Sequence, residues 1–356
     1  MAIGKVNRTG PGREWRAARW LLSAAAFVVL VAGARASADI VVPFLLSVIL
    51  AVLFAGPMSW LHSRGVPRWL AVSLIIIMLI GVTLAFGTVI GTSVIEFTQS
   101  LPFYQQRLQE EVGGLVTWLA SHGVDVSQDI VADSFELTAV LTIAGRIFTG
   151  IGDVLGRIGL ILLTVTFILL EWSGFRHKAL VAFAHSEEHL GRFAEISDSI
   201  KRYLMLKTLI SLATGVLVTV WLMILQVDFP LLWGTLAFVL NYIPNIGSLI
   251  AAVPAVLLAF LQLGFGGAAF TALGYLVINF ILASLIEPRV IGQGVGLSTL
   301  VVFLSLVFWG WVLGPIGMLL SVPLTMIFRI LLDAVDETRW IAILMGPRPP
   351  ESSLIE

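Results

Sequence analysis

One hundred consecutive residues, from Phe229 to Phe328, carry only two charges, Glu287 and Arg289. No water-soluble domain can be built around such a stretch, because its surface has to be covered by polar side chains. The rest of the chain agrees. Apolar types make up 58% of the 356 residues and charged types 12%, about half the charged share of a soluble domain. Lipid offers no water to free peptide groups, so such a chain folds into helices that bond their own backbone. The expected fold class is all-α: a polytopic membrane protein with about eight hydrophobic segments. A cytosolic enzyme and a disordered chain are excluded. A net charge of −1 gives no basic field for nucleic acid. With no cysteine there is no disulfide, thiol nucleophile or Cys-ligated metal.

The first five apolar runs are Trp20–Ala34, Ile40–Leu61, Trp69–Ile95, Ile158–Leu170 and Tyr203–Val227, the last with Lys207 near its start. The charge-poor half then divides into Leu231–Leu263, Gly267–Ile286 and Thr299–Leu332. About 20 helical residues cross the hydrocarbon layer, so the first and third of these are too long for one ordinary span. Lys and Arg set the orientation. Residues 1–19 carry Lys5, Arg8, Arg13, Arg16 and Arg19 against Glu14, and the loop after the second run carries Arg64 and Arg68. Both are expected on the cytoplasmic side, with the N-terminal run an uncleaved anchor rather than a secretory leader. Residues 96–157 hold eight acids and three arginines and are placed outside, while residues 171–202, with five basic residues, are placed inside. The C-terminus is then cytoplasmic.

Two polar segments interrupt the runs. In 96–157, Leu101, Leu108, Val112, Leu115 and Leu119 recur at helical spacing, with Pro102 near the start and Gly123 as the expected stop. Asp125, Asp129, Asp133 and Glu136 follow. They read as a solvated face rather than a cation-attracting mouth. In 171–202, His185 and His189 are spaced to chelate a metal, but Ser186 stands where a zinc protease needs Glu and no third ligand is evident. A solvated cytoplasmic helix is the better reading. No metal site and no cofactor are expected.

Both over-long runs carry a matching interruption. Ile246-Gly-Ser-Leu-Ile-Ala-Ala-Val-Pro254 parallels Ile316-Gly-Met-Leu-Leu-Ser-Val-Pro323, with Pro244 and Pro315 just before them. Proline removes a donor and clashes with the preceding turn, and the freed peptide groups cannot face lipid. Pro254, Pro288, Gly292 and Pro323 are expected as structural breaks. Two arrangements fit: kinked or tilted spans, or re-entrant helical hairpins. Runs of 33 and 34 residues favour hairpins. With the helix before each, they form an inverted repeat of the kind seen in alternating-access machines. Asn241, Pro244, Asn245, Gly247 and Ser248 at the first break, Asn279 on the helix between, and Gly314, Pro315 and Gly317 at the second are candidate substrate- or ion-binding residues. Packing between helices is the alternative for each polar one.

Glu287-Pro288-Arg289 is the sharpest feature. An ionisable group in an apolar region costs about 2.5–3.5 kcal/mol on insertion scales and is a functional candidate by default. Glu287 is expected to exchange a proton or hold a cation, with Arg289 as the charge that tunes it, and both are candidate substrate- or ion-binding residues; a helix-end cap formed by the pair is the structural alternative. Lys207 is nearer a helix end and reads as a snorkelling side chain. There is no Walker loop, GxSxG or catalytic His/Asp set, so the chain reads as a non-enzyme.

Three motifs, Asn241-Tyr-Ile-Pro-Asn-Ile-Gly-Ser248, Glu287-Pro-Arg-Val-Ile-Gly292 and Phe308-Trp-Gly-Trp-Val-Leu-Gly-Pro-Ile-Gly-Met-Leu-Leu-Ser-Val-Pro323, resemble the autoinducer-2 exporter family of bacterial inner-membrane transporters. The resemblance covers about residues 15–340. It implies a multi-pass permease with cytoplasmic ends, secondary-active and exporting a small polar solute such as a quorum signal. Some relatives are described as sodium or lithium/proton antiporters, so a monovalent cation and a proton are alternative partners beside the lipid bilayer. The family's motifs fall on Pro244, Asn245 and Gly247, on Glu287, Pro288 and Gly292, and on Gly314, Pro315, Gly317 and Pro323. A homo-oligomer is compatible with the resemblance. From another class, a non-transporting membrane scaffold or receptor stays open. The expected organisation is a tail with three spans (1–95), an external segment (96–157), a fourth span with its cytoplasmic connection (158–202), a transport core (203–332) and a cytoplasmic tail (333–356).

Overall fold

The computed structural model describes residues 12–122, 156–182, 187–244, 246–291, 296–333, 335 and 337–347. All regular elements among them are helical. They are α1 (Gly12–Ala36), α2 (Ala38–Ser63), α3 (Arg68–Ser121), α4 (Ile158–Ala182), α5 (Glu187–Ile224), α6 (Pro230–Leu240) and α7 (Gly247–Asn279). A π-helical turn (Phe280–Ile286), α8 (Glu287–Ile291), α9 (Thr299–Leu319), α10 (Ser321–Asp333) and α11 (Arg339–Leu344) follow. Among the described residues, five helical stretches are long and apolar enough to cross a membrane: Ala38–Ser63, Arg68–Ser100, Asp198–Ile224, Gly247–Val290 and Thr299–Leu319. Large apolar side chains such as Ile77, Leu84, Leu209, Val216 and Leu276 point away from the protein on these helices. A belt of that kind is stable only against lipid tails. The protein is a multi-pass membrane protein.

The N-terminal part packs as a small bundle. Ala51, Ala71, Ile75, Ile161, Val165 and Leu169 from α2, α3 and α4 are buried together. Ser47 Oγ ties two of these helices by donating to the carbonyls of Pro43, at 2.7 Å, and Ile161, at 3.2 Å. The third apolar run and the start of the polar segment 96–157 form one helix of 54 residues. Pro102 therefore lies inside a helix and not at its start. Gly123, Asp125, Asp129, Asp133, Glu136 and His185 lie outside the described residues, as do the side chains of the Leu101–Leu119 stripe and of His189.

The C-terminal part contains two helix–turn–helix units. In the first, α6 and residues 247–263 run antiparallel about a turn whose described residues are 241–244 and 246. The arms are closed at their far ends by the Asp228 amide, which donates to Gln262 Oε1 at 3.0 Å. In the second, the arms are residues 299–313 of α9 and the stretch from Pro315 through α10, antiparallel about the kink at Gly314, with Trp309 Nε1 donating to Thr325 Oγ1 at 2.9 Å. The two units share a detail. A Cβ on Gly247 would overlap the carbonyl of Leu240, and one on Gly317 the carbonyl of Trp309. Each glycine lets one arm press on the backbone of the other.

Not every expected break is one. The helix runs through Pro254, and the chain leaves helical geometry at Gly264 (φ 70°, ψ −166°). A missing donor in the outer turns of a helix is cheaper than a side chain at that φ/ψ, which only glycine adopts readily. Pro323 is buried in the first turn of α10, where proline is tolerated. The second interruption lies at Gly314 (φ 71°, ψ −156°). Pro288 sits at the junction of the π turn and α8. Gly292 is outside the described residues.

After Gly264, residues 265–291 run back along α5. Trp221 Nε1 donates to the Phe270 carbonyl at 3.2 Å, and Gly274 lies flat against the Trp221 indole. Thirteen to seventeen residues further on, Glu287 meets α5 again at Lys207.

Candidate functional site

Helix α5 builds the site because its buried face changes character along its length. Tyr203, Lys207, Ser211 and Thr214 recur at helical spacing and are all buried, while Val218 and Leu222 continue the face as plain core. Lys207 is only 3% exposed. It does not snorkel. Its Nζ donates to both carboxylate oxygens of Glu287, at 2.8 and 3.0 Å.

The acid expected to neighbour Arg289 is thus paired with a lysine 80 residues upstream, and Arg289 is exposed. Residues two apart on a helix point to opposite sides and do not face each other. Helix α8 therefore turns Glu287 inward and Arg289 outward. The orientation of Glu287 is set by the π-helical turn before it, whose end is marked by the Glu287 amide donating to the Leu282 carbonyl five residues back. Such turns are rare and recur at functional sites.

The tip of the first helix–turn–helix unit closes on the same stretch of α5. Asn241 Nδ2 donates to Ser211 Oγ at 3.0 Å. Tyr242 donates its hydroxyl to Thr208 Oγ1 at 2.7 Å. Tyr203 is buried one turn from Lys207 on the same face of α5. α6 reaches this depth because glycines let it lie close to α5: a Cβ on Gly215 would stand 2.8 Å from the Gly234 carbonyl and from Phe238 Cβ. The result is a polar cluster of Tyr203, Lys207, Thr208, Ser211, Asn241, Tyr242 and Glu287 inside an apolar bundle. A buried ion pair holds its protein together only while both charges are present; removing one costs about 3–5 kcal/mol. That makes the cluster sensitive to whatever neutralises or competes for either end.

The other expected residues fall in different places. Gly247 is buried at the turn and Pro244 and Ser248 are half-buried beside it; Asn245 is outside the described residues. Asn279 lies two turns before Glu287 on the helix facing α5, with its Oδ1 buried and unpartnered. Gly314, Pro315 and Gly317 do not join this cluster. Pro315 and Ile316 line a half-open cavity of about 250 Å³ with Val42, Pro43, Leu46 and Ile161. At its rim Arg157 Nη2 pairs with Asp39 Oδ1 at 2.8 Å. That pair is largely exposed and so worth little energetically.

Sequence reasoning missed Lys207, Tyr203, Thr208 and Ser211. The signal was present: a lone acid in a hundred apolar residues requires a cation on another helix, and Lys207 is the basic residue set within the preceding run.

At the end of the first unit far from its turn, Tyr104 from α3 donates to Asp228 Oδ2 at 2.6 Å and accepts from Gln262 Nε2 at 3.4 Å. Burial, helped by the Asp228 carboxylate, holds this phenol well above its ordinary range. Phe97 stacks on the Tyr104 ring and meets Phe229 and Trp233 edge-on.

A model of AI-2E family transporters matches residues 24–337. The chain is 40% identical to the AI-2 transport protein TqsA of Escherichia coli (strain K12) over 319 residues, 90% of this chain and 93% of that protein. It is 38% identical to a putative transport protein of Haemophilus influenzae, covering 92% and 96%. It is 36% identical to the putative transport protein YhhT of Escherichia coli (strain K12), covering 94% and 96%.

Proposed function

The chain belongs to the AI-2E family of transporters, and on that premise we propose that it is a secondary-active permease exporting a small polar solute, of the kind the name of its relative TqsA indicates, across a bacterial inner membrane. The observation that carries the coupling part of this reading is the buried Lys207–Glu287 pair at the tip of the first helix–turn–helix unit. Glu287 is the coupling carboxylate. Lys207 is its resting counter-ion, released when a proton or cation takes its place. Asn241 and Tyr242 carry the state of the pair into the turn at 241–246, which together with Ser248 and Asn279 contacts the solute. The second turn, at Gly314–Gly317, serves the opposite half of the cycle. Both turns are re-entrant, the first from outside and the second from inside, and the chain ends are cytoplasmic. These features support the reading through a general argument: irregular backbone at membrane depth persists where it meets protein, solute or water.

The test is flux in proteoliposomes under an imposed proton gradient. Glu287→Gln, checked for folding by size-exclusion elution, is expected to abolish gradient-driven movement of the solute. Gradient-driven flux at the normal rate in that variant removes Glu287 from the mechanism. One observation favours a second reading, monovalent cation/proton exchange: an ammonium group bonded to both oxygens of Glu287 occupies the place a sodium or lithium ion takes at a carboxylate. Internal pH, followed by a dye when sodium or lithium is added, separates the two.

A further inference from the structure

Three polar groups on one helix face lack a partner that the site described above supplies. Thr271 Oγ1, Tyr275 OH and Asn279 Oδ1 are all buried and none has a hydrogen-bond partner within the protein. Thr271 and Tyr275 are 0% and 2% exposed. They recur every four residues and so form a stripe about 12 Å long on one side of the helix. Chance orphans do not arrange themselves in this way, and buried hydroxyls are costly to leave unpaired. Tyr275 belongs to the same buried cluster as Ala251, Ala255 and Ala259, which present only methyl groups at the same four-residue spacing. That core offers the stripe no hydrogen-bonding partner.

The π turn connects this stripe to Glu287. At about 100° per residue, a regular helix would carry Glu287 to the far side, about 160° round from Thr271; the extra residue held in the π turn takes back about 100°, leaving the two about 60° apart. A regular helix would therefore split the polar stripe from the carboxylate. The observed one puts them on a common face.

We propose that Thr271, Tyr275 and Asn279 line a narrow hydrated lane, entered at the Gly264 end, that brings water and exchangeable protons to Glu287. The lane rests on Glu287 being the coupling carboxylate only for its purpose, not for its existence. Two hydroxyls, each able to donate and accept, followed by an amide oxygen, are the chemistry that holds a file of water.

The chain has no cysteine, so single cysteines report without background. Thr271→Cys, Tyr275→Cys and Asn279→Cys are placed in the full chain in vesicles of phosphatidylethanolamine and phosphatidylglycerol. They are reacted with a small cationic methanethiosulfonate, with Leu273→Cys and Leu276→Cys on the lipid-facing side as controls. The lane predicts labelling of all three at least tenfold faster than either control. Thr271→Cys scarcely changes side-chain size, so it keeps the test decisive where Tyr275→Cys fails to fold. Rates equal to the controls at Thr271 and Asn279 overturn the lane. Labelling does not depend on flux. Fast labelling with Glu287→Gln still driving coupled transport leaves the lane standing and removes the coupling role; dry positions with Glu287→Gln inactive do the reverse.

Discussion

Replacing Lys207 by methionine while leaving Glu287 in place keeps the length and apolar stem of the side chain and removes only the charge. Two unit charges 2.8 Å apart attract by about 6 kcal/mol at an effective dielectric of about 20. Most of that attraction offsets the cost of taking both groups out of water, so the pair itself is close to neutral relative to an apolar pair. The single variant has no such balance. It leaves a carboxylate that is mostly buried with no cation, which costs about 3–5 kcal/mol. The double variant, Lys207→Met with Glu287→Gln, removes the stranded charge and should regain most of the loss. The measurement is a double-mutant cycle in mixed micelles of mild detergent and SDS, with unfolding followed by tryptophan fluorescence and size-exclusion elution. The expected coupling between the two sites is about 3 kcal/mol or more, over a hundredfold in the folding equilibrium. Strict additivity of the two single effects refutes the reasoning. It would mean that the two side chains do not face each other in the folded protein.

Two further perturbations read other parts of the structure. Gly317→Ala drives a methyl group into the Trp309 carbonyl, whereas Gly314→Ala meets no atom within 4 Å and carries only the strain of its φ/ψ, about 1–3 kcal/mol; the same SDS titration should rank Gly317→Ala as the more damaging, and the opposite order contradicts the packing of the second unit. Tyr104→Phe deletes a hydrogen bond to a carboxylate, worth about 1.5–3 kcal/mol, and should speed amide exchange in residues 95–121 and 225–230 while sparing the Lys207 region. Because the folded protein raises the Tyr104 pKa, this tie is complete at every pH below about 10 and is lost as pH rises beyond that. Faster exchange in the wild type between pH 6 and 9 than its intrinsic chemistry predicts would count against it.

Periodicity and charge made the membrane class and both interruptions legible, because those depend on counts along the chain. What escaped depends on geometry between elements. The boundary between the runs ending at Leu263 and starting at Gly267 holds the reversal at Gly264, but the break expected at Pro254 is absent, because proline costs a helix one bond whereas glycine at that φ/ψ turns the chain. The close approach at Gly215 and Gly234 is written in single glycines on two different runs, and no spacing rule links them. Lys207 was set aside by its distance from the helix end, a criterion that ignores what the facing helix presents. The exclusion of Arg289 as partner was available from helical geometry alone, since it stands two residues from Glu287. The π turn left no mark in Phe280–Ile286 that differs from an ordinary apolar helix.

Stability does not explain why this bundle carries an ion pair. An apolar pair of similar size would hold α5 and α8 together at least as well, and most of the surrounding faces are apolar already. At one level of the bundle three departures from regular structure coincide: a helix interrupted by the turn at 241–246, a π turn, and a lysine on a buried face. Each alone is costly, and together they make the Lys207–Glu287 contact a place where a change of charge on a single side chain would alter how two helices and a turn are joined. Local rules are broken where a protein has another use for the position. If the double variant Lys207→Met with Glu287→Gln proves as stable as the wild type and yet moves no solute, the pair serves the transport cycle and not the fold.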